Sequence, residues 1–320
     1  MAGGYGAWAI VWQTLTLAAV KSSFLWLTSG WLPRHRFSIS SLRSVLGVGS
    51  GVMFGSFLNT VSLNVYSFII GAYYNLAQLG CYTQADKWSK MGISSMSQIL
   101  TSSFLPVLSG VQDDKERLRR IMRKTNRFTA YLVFPVMFLL VTGAQPIFHI
   151  LFGTKWDEAI PLFQILAARG IFVVLTSLYN NYILAVGKAK TLVVYEIVKD
   201  ILMVAAIFVT IPLGITAMIW GQLIASAIFY VYSLFATGRA AGYPTAQMAA
   251  DVVPYLLITG VSAVAQWCVL HTMSNPWTSL LSQAAVCGTV YFAANRLFCP
   301  KIQDEVLSYA LGRFRRKKTG

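Results

Sequence analysis

The chain has 320 residues, of which 56% are hydrophobic and only 12% are charged, and its mean hydropathy is +0.60. Such a composition leaves too few polar groups to cover a surface in water, which excludes a soluble enzyme, a disordered protein and a disulfide scaffold. The net charge of +15 does not by itself indicate a nucleic-acid partner, because in a membrane protein the position of the basic residues matters more than their sum.

Nine apolar runs are each long enough to cross a bilayer as a helix, which takes about 20 residues. They lie at residues 6–28, 44–71, 79–107, 128–149, 160–185, 191–211, 215–236, 252–271 and 277–297. The runs are continuous and do not alternate, so helices are favoured over a closed barrel. The sequence therefore predicts an all-α, polytopic integral membrane bundle of about nine transmembrane helices.

The segments between the runs differ in charge from one side to the other. The loops after odd-numbered runs, the end of the ninth run and the C-terminal tail together carry twenty Lys and Arg residues, whereas the opposite loops carry only Lys155. Because basic residues concentrate in cytoplasmic loops, the C-terminus is expected in the cytoplasm. An odd number of spans then places Met1 outside, which suggests that the chain begins within a larger protein.

Polar side chains form a stripe along the third run. They recur at steps of three and four residues, which places them on one face of a helix. The stripe consists of Thr83, Asp86, Lys87, Lys90, Ser94, Ser97, Gln98 and Thr101. Asp86 and Lys90 have the spacing of an intrahelical ion pair. The stripe is interpreted either as the wall of a water-lined cavity or as a polar seam buried in the bundle.

The fifth run carries an arginine at mid-membrane depth. Arg169 shares a face with Asn180, and Asn181 lies beside them. A guanidinium group is suited to phosphate or carboxylate, so Arg169 is a candidate for binding an anionic substrate. The alternative is a structural salt bridge to an acid on a neighbouring helix.

The sixth run carries three charged residues on one face, Glu196, Lys199 and Asp200. Two acids around one base form either a self-neutralised cluster or a cation or proton site. The sequence contains no phosphate-binding loop, nucleophile elbow or zinc-protease motif, and its four cysteines lack metal-site spacing. No catalytic residue, metal or cofactor is therefore predicted.

Four segments, in chain order, carry a resemblance to a known family. They are GGYGAWAIVWQTL, NVYSFIIGAYYNLAQLGCYTQADKWSKM, FLPVLSGVQDDKERLRRIMRK and LFGTKWDEAIPLFQIL. Together they resemble Wzx-type oligosaccharide flippases of the polysaccharide transporter family, in the superfamily that also contains the MATE drug exporters. Members have about fourteen helices, arranged as two six-helix lobes around a cavity and a final pair.

The resemblance implies that the chain corresponds to the sixth helix onward and lacks the first five transmembrane helices. The expected parts are the last N-lobe helix (1–30), a cytoplasmic basic loop (31–43), a MATE-like six-helix C-lobe (44–240), two C-terminal helices (241–298) and a cytoplasmic basic tail (299–320).

The resemblance also implies a transporter and not an enzyme. It implies flipping of undecaprenyl-pyrophosphate-linked oligosaccharides across the bacterial inner membrane for capsule, exopolysaccharide or O-antigen synthesis. Anionic lipids at the cytoplasmic face and a glycan polymerase are expected partners, and nucleic acid is not. From their positions in the runs alone, the expected substrate-binding residues are Lys87, Lys90, Arg169, Lys199, Asn180 and Asn181. The expected coupling or charge-pairing residues are Asp86, Glu196 and Asp200.

Three other functions remain open at this point. A MATE-like, cation-coupled multidrug exporter would use one of the acids as its coupling site. A membrane scaffold or truncated remnant would not transport on its own. A glycan polymerase is also polytopic, but a large extracytoplasmic loop is expected of it, and no loop here exceeds about twenty residues.

Overall fold

The computed structural model describes residues 8–30, 60–61, 64–111, 114–270, 275–298 and 303. Within these ranges every regular element is helical and no strand occurs. The chain divides into two compact units, Met1–Thr60 and Val61–Gly320. The predicted all-α fold class is thereby confirmed.

The helices follow one another with short connections. In chain order they are α1 (Trp8–Ser29), α2 (64–73), α3 (Leu76–Ser109), α4 (Lys115–Thr142), α5 (Ala144–Phe152), α6 (Ala159–Ala185), α7 (Ala189–Thr210), α8 (Ile215–Ala241), α9 (Thr245–Ala250), α10 (Val253–Leu270) and α11 (Pro276–Phe298). Single 3₁₀ turns at Thr154–Trp156 and Ile211–Leu213 precede α6 and α8.

Four of these stretches are both long and apolar enough to cross a membrane. They are Glu116–Thr142, Ala159–Ala185, Ile215–Ala241 and Thr245–Cys268. The protein is therefore an integral membrane protein. The total of nine spans stays a prediction, because much of the second run, the predicted loop at 31–43 and nearly all of the predicted tail lie outside the described residues.

The fourth predicted run, 128–149, is wrong in its boundaries. The helix begins thirteen residues earlier, at Lys115, and ends at Thr142, and the separate helix α5 follows after Gly143. Asp114 caps the N-terminus by accepting a hydrogen bond of 3.0 Å from the backbone N–H of Arg117. The basic segment that precedes the apolar run is thus the first part of the same helix.

Helix α6 forms the centre of the second unit. It packs against α3, α4, α7 and α8, and sixteen of its 27 residues are buried. The approach to α3 is close at Gly170, where an added Cβ would lie only 2.7 Å from Ile93. Polar side chains on α6 are therefore presented to other helices and not to lipid.

The last two long helices pack against the first half of the unit. Helix α10 contacts α4 and α11, and α11 also contacts α4 and α5. Gly242 ends α8 in the left-handed conformation at φ +68°, which glycine adopts without strain. The resulting turn leads into α9 and places the start of α10 beside the basic end of α4.

Candidate functional site

Half of the polar stripe of α3 is exposed in the described structure. Thr83, Lys87, Ser94 and Gln98 are exposed, and Lys90 is half-buried. Hydrocarbon offers no hydrogen-bond partners to such groups, so they need water or protein beside them. The apolar Met91 and Ile99 of the same helix are exposed with them.

Asp86 and Lys90 form the ion pair that their spacing predicts. Lys90 Nζ lies 2.6 Å from an Asp86 carboxylate oxygen, and the aspartate is nearly buried while the lysine side chain is 42% exposed. Asp86 is therefore neutralised by its own helix. Lys87 follows Asp86 directly in the sequence, and its side chain is exposed.

Arg169 on α6 contacts α8. Its Nε donates a hydrogen bond of 3.1 Å to the hydroxyl of Ser226. Gln222, also on α8, donates a hydrogen bond of 3.2 Å to the phenol of Tyr82 on α3. Among the described residues, no carboxylate lies within salt-bridge distance of Arg169. The alternative of a structural salt bridge thus finds no partner in this part of the chain.

A second polar group connects α6 to α7. Asn180 donates a hydrogen bond of 3.0 Å to Glu196, and Lys199 forms an ion pair with the same carboxylate. Asp200, expected on this face, is exposed and does not join the pair. Glu196 and Lys199 therefore form an ion pair, whereas the cluster of all three residues considered from the sequence is not formed, because Asp200 is outside the pair.

Asn181 points from α6 toward α3. Its amide donates a hydrogen bond of 2.9 Å to Thr101, the last member of the polar stripe. Asn180 and Asn181 lie eleven and twelve positions after Arg169, which corresponds to about 16–18 Å along the helix. The structure thus places the candidate residues in two groups on α6, one around Arg169 and one around Asn180.

The sequence did not reveal a third polar group, centred on Asp251 just before α10. Its carboxylate is almost fully buried and accepts hydrogen bonds from Arg123 at 3.0 Å and from Arg127 at 2.7 Å. The hydroxyl of Tyr243 donates to the same carboxylate. We call Asp251, Arg123, Arg127 and Tyr243 the aspartate clasp.

The aspartate clasp fixes the basic end of α4 to the corner between α8 and α10. Arg119 extends the contact by donating a hydrogen bond of 2.7 Å to Gln247 of α9. Burial, the hydrogen bond to Asp251 and the charge of that carboxylate raise the pKa of Tyr243, so its phenol stays a donor. Arg119, Arg123 and Arg127 thus serve a structural role, although the sequence analysis counted them only toward topology.

In the described parts of the chain, no three His, Cys, Asp or Glu side chains come together as a metal site would require. The candidate residues instead combine hydroxyl, amide and cationic groups. Such groups bind anions and sugar hydroxyls by hydrogen bonding.

Comparison with known proteins adds a family to this geometry. Residues 1–161 match the family profile described as polysaccharide biosynthesis protein. The succinoglycan biosynthesis transport protein ExoT of Rhizobium meliloti is 24% identical over 255 residues, covering 79% of this chain and 49% of the relative. The lipopolysaccharide biosynthesis protein WzxC of Escherichia coli is 22% identical over 177 residues, covering 55% of this chain and 36% of the relative.

A solved structure shares the fold. The lipid II flippase MurJ in its inward closed conformation superposes with a TM-score of 0.66 at 14% sequence identity, covering 84% of this chain and 57% of MurJ. The chain spans about half the length, or less, of the curated relatives described above. Since the family profile matches half of the sequence, the chain belongs to the polysaccharide biosynthesis protein family.

Proposed function

We propose that this protein takes part in moving lipid-linked oligosaccharides across a bacterial inner membrane, as a transporter and not as an enzyme. The observation that carries the proposal is the exposed part of the polar stripe of α3, with Lys87, on a helix that packs against α6, whose Arg169 lacks a carboxylate partner among the described residues. An anionic diphosphate is the complement of such a surface. The relatives named for polysaccharide transport support this substrate class.

We propose different roles for the two groups of candidate residues. Lys87 and Arg169 would contact the phosphate part of the substrate, because neither forms an ion pair among the described residues, and Lys90 would join them on release from Asp86. Asn180 and Asn181 would hold the helix α6 in register with α7 and α3, because their amides are already engaged.

The ion pairs also bear on the cation-coupled exporter. Asp86 and Glu196 are each neutralised by a lysine of the same helix. A coupling site needs a carboxylate that is available to the cation, so this pairing disfavours both residues as cation sites. We propose that they act in charge pairing, with Lys199 as the partner of Glu196. Of the three candidate acids, Asp200 is exposed and outside these ion pairs, so it is the one that we propose for cation coupling.

The membrane orientation and the division into parts remain proposals as well. The basic end of α4 would lie in the cytoplasm together with the C-terminus, and its exposed residues Arg117 and Arg120 would contact anionic lipid headgroups. Residues 1–30 would close the N-lobe, 44–240 would form the C-lobe and 241–298 the final helix pair. A glycan polymerase is the proposed protein partner.

Replacing Arg169 by Ala in the native host tests the proposal. The variant should lose surface glycan while the protein remains inserted at its normal level, because the substitution removes the anion-binding group and retains the fold. Arg239→Ala, which removes an exposed arginine from the last turn of α8, is the matched control and should leave the glycan unchanged. Normal surface glycan in the Arg169→Ala strain would contradict the assignment of Arg169 as an anion-binding residue.

A further inference from the structure

The buried face of α11 is unusually polar for a helix that packs within a membrane protein. All of its buried residues follow one another at steps of four. They are Ser279, Gln283, Cys287, Tyr291 and Asn295. The exposed face carries large apolar residues such as Leu281 and Phe292. The polar groups of this helix are therefore turned toward protein, and its apolar groups toward lipid.

Two other helices meet this face with polar groups of their own. Helix α10 contributes the buried residues Thr259, Ser262 and Gln266. Helix α4 contributes Thr142, which donates a hydrogen bond of 2.6 Å to Gln266. We call the shared interface of α4, α10 and α11 the polar seam. On α10 it extends from Thr259 to Gln266.

A proline explains one contact across the seam. Pro135 in the middle of α4 has no backbone N–H, so the carbonyl of Tyr131 loses its normal partner one turn later. The hydroxyl of Tyr291 donates a hydrogen bond of 2.8 Å to this carbonyl. Helix α11 thus supplies the donor that the proline removes, which fixes its register against α4.

Two amide groups in the seam are left incompletely bonded. Gln283 and Asn295 are fully buried, and Gln283 Oε1 and Asn295 Oδ1 have no hydrogen-bond partner among the described residues. The nitrogen of Asn295 donates a hydrogen bond of 2.8 Å to the carbonyl of Tyr291, and interchanging the amide oxygen and nitrogen would break that bond. The nitrogen of Gln283 donates a hydrogen bond of 2.9 Å to Ser279 Oγ. If the two atoms of that amide were interchanged, the nitrogen would take the position without a hydrogen-bond partner. In either orientation each amide keeps an atom that needs a partner.

Buried amide atoms of proteins are almost always satisfied, because desolvation without a new hydrogen bond is unfavourable. The partner must be a donor small enough to enter between packed helices. A single bound cation does not fit, because the two oxygens are twelve residues apart on one helix, or about 18 Å. Water meets both requirements, since it donates two hydrogen bonds and accepts others.

We propose that the polar seam between α4, α10 and α11 is a water-binding site, with bound water completing the hydrogen bonds of Gln283 and Asn295. Ser279, whose hydroxyl accepts the hydrogen bond from Gln283, and the buried Ser262 of α10 offer further hydroxyl groups to water molecules along the seam. The seam is then a hydrated interface inside the membrane-embedded part of the protein. This inference does not depend on the proposed transport function.

Cys287 serves as a built-in reporter for water in the seam. It is buried on the same face, and its sulfur lies 4.0 Å from the carbonyl of Pro135. The test uses the full-length chain in lipid vesicles with Cys81, Cys268 and Cys299 replaced by Ala. After transfer to D₂O, infrared spectroscopy follows the conversion of the remaining S–H to S–D. The control is a protein whose single thiol is Val264→Cys, on the exposed face of α10.

The Cys287 thiol should exchange at least about tenfold faster than the Val264→Cys thiol, because the lipid-facing control lies in hydrocarbon, whereas Cys287 lies beside bound water. Equal or slower exchange of Cys287 would overturn the proposal. Thermal unfolding gives a second readout. Gln283→Met should lower the midpoint if water satisfies the amide, and should raise it if the amide is buried dry. A raised midpoint would therefore also overturn it.

Discussion

Replacing Asp251 by Asn removes the charge at the centre of the aspartate clasp while keeping the size of the side chain. In the native protein the carboxylate is 3% exposed and accepts hydrogen bonds from Arg123, Arg127 and Tyr243. Asparagine offers one acceptor oxygen to these three donors and no negative charge. We therefore expect the substitution to leave two guanidinium groups without their counterion.

The size of the effect follows from how far each partner is buried. Removing one partner of a fully buried ion pair costs about 3–5 kcal/mol of unfolding free energy. The side chains of Arg123 and Arg127 are 49% and 36% exposed, so water compensates part of the loss. We expect about 2–3 kcal/mol, which corresponds to a decrease of about 3–5 °C in the melting temperature of a chain of this length.

Tryptophan fluorescence in a detergent of fixed composition, recorded at one scan rate, measures this change. Glu116→Gln is the matched control, because it removes an exposed acid from the same end of α4. The control should change the unfolding free energy by no more than about 0.5 kcal/mol. If Asp251→Asn shifts the melting temperature no further than Glu116→Gln, the structural account of the clasp is refuted.

Three further predictions use the same thermal assay. Gly170→Ala should cost about 1–3 kcal/mol, because its Cβ would lie 2.7 Å from a buried isoleucine. Gly260→Ala, with open space around its Cβ, should stabilise α10 by about 0.5–1 kcal/mol. Equal changes in melting temperature for Gly170→Ala and Gly260→Ala would contradict the packing argument. Tyr291→Phe should cost about 1 kcal/mol in the native sequence and close to nothing in a Pro135→Ala background, where the backbone N–H is restored; additive effects would contradict this. Folding raises the pKa of Tyr243. Its contribution to the free energy of unfolding is therefore complete below the unfolded-state pKa of about 10 and is lost as the pH rises through the folded-state pKa. Tyr243→Phe should therefore reduce the fall in melting temperature above pH ~10, and an unchanged fall would refute the assignment.

The sequence predicts the features that depend on local periodicity. Apolar runs define the helices α3, α6, α7, α8, α10 and α11 to within a few residues. The four-residue spacing of Asp86 and Lys90 predicts their ion pair, because residues three or four apart lie side by side on a helix. These features need no knowledge of which helices are neighbours.

The aspartate clasp could not be predicted in this way. Asp251 and its two arginines are more than 120 positions apart, and the sequence shows only a single acid before an apolar run. The basic residues of α4 had a sufficient explanation in the membrane topology. Only the packing of α10 against α4 shows that Arg123 and Arg127 are also held by a buried carboxylate.

The helix α4 and the acid Asp200 show a second limit of sequence patterns. Hydropathy placed the start of the fourth run at residue 128, because the thirteen preceding residues of α4 are mostly charged or polar. Within this part of the helix, arginines contact Gln247 of α9 and Asp251 just before α10, and hydropathy does not register such contacts. Asp200 shares a helical face with Glu196, but Lys199 pairs with Glu196 only. Spacing defines which residues are able to meet, and packing decides which of them do.

The most direct measurement of the central claim is a translocation assay on the protein purified from its native membranes. Vesicles that contain the protein and a fluorescent polyprenyl-diphosphate oligosaccharide are treated with a membrane-impermeant quencher. The account predicts quenching beyond the outer-leaflet fraction with the native protein and with Arg239→Ala, and quenching of the outer-leaflet fraction alone with Arg169→Ala. Quenching that stays at the outer-leaflet fraction with the native protein would contradict the proposed function. Equal translocation by Arg169→Ala would contradict the assigned site.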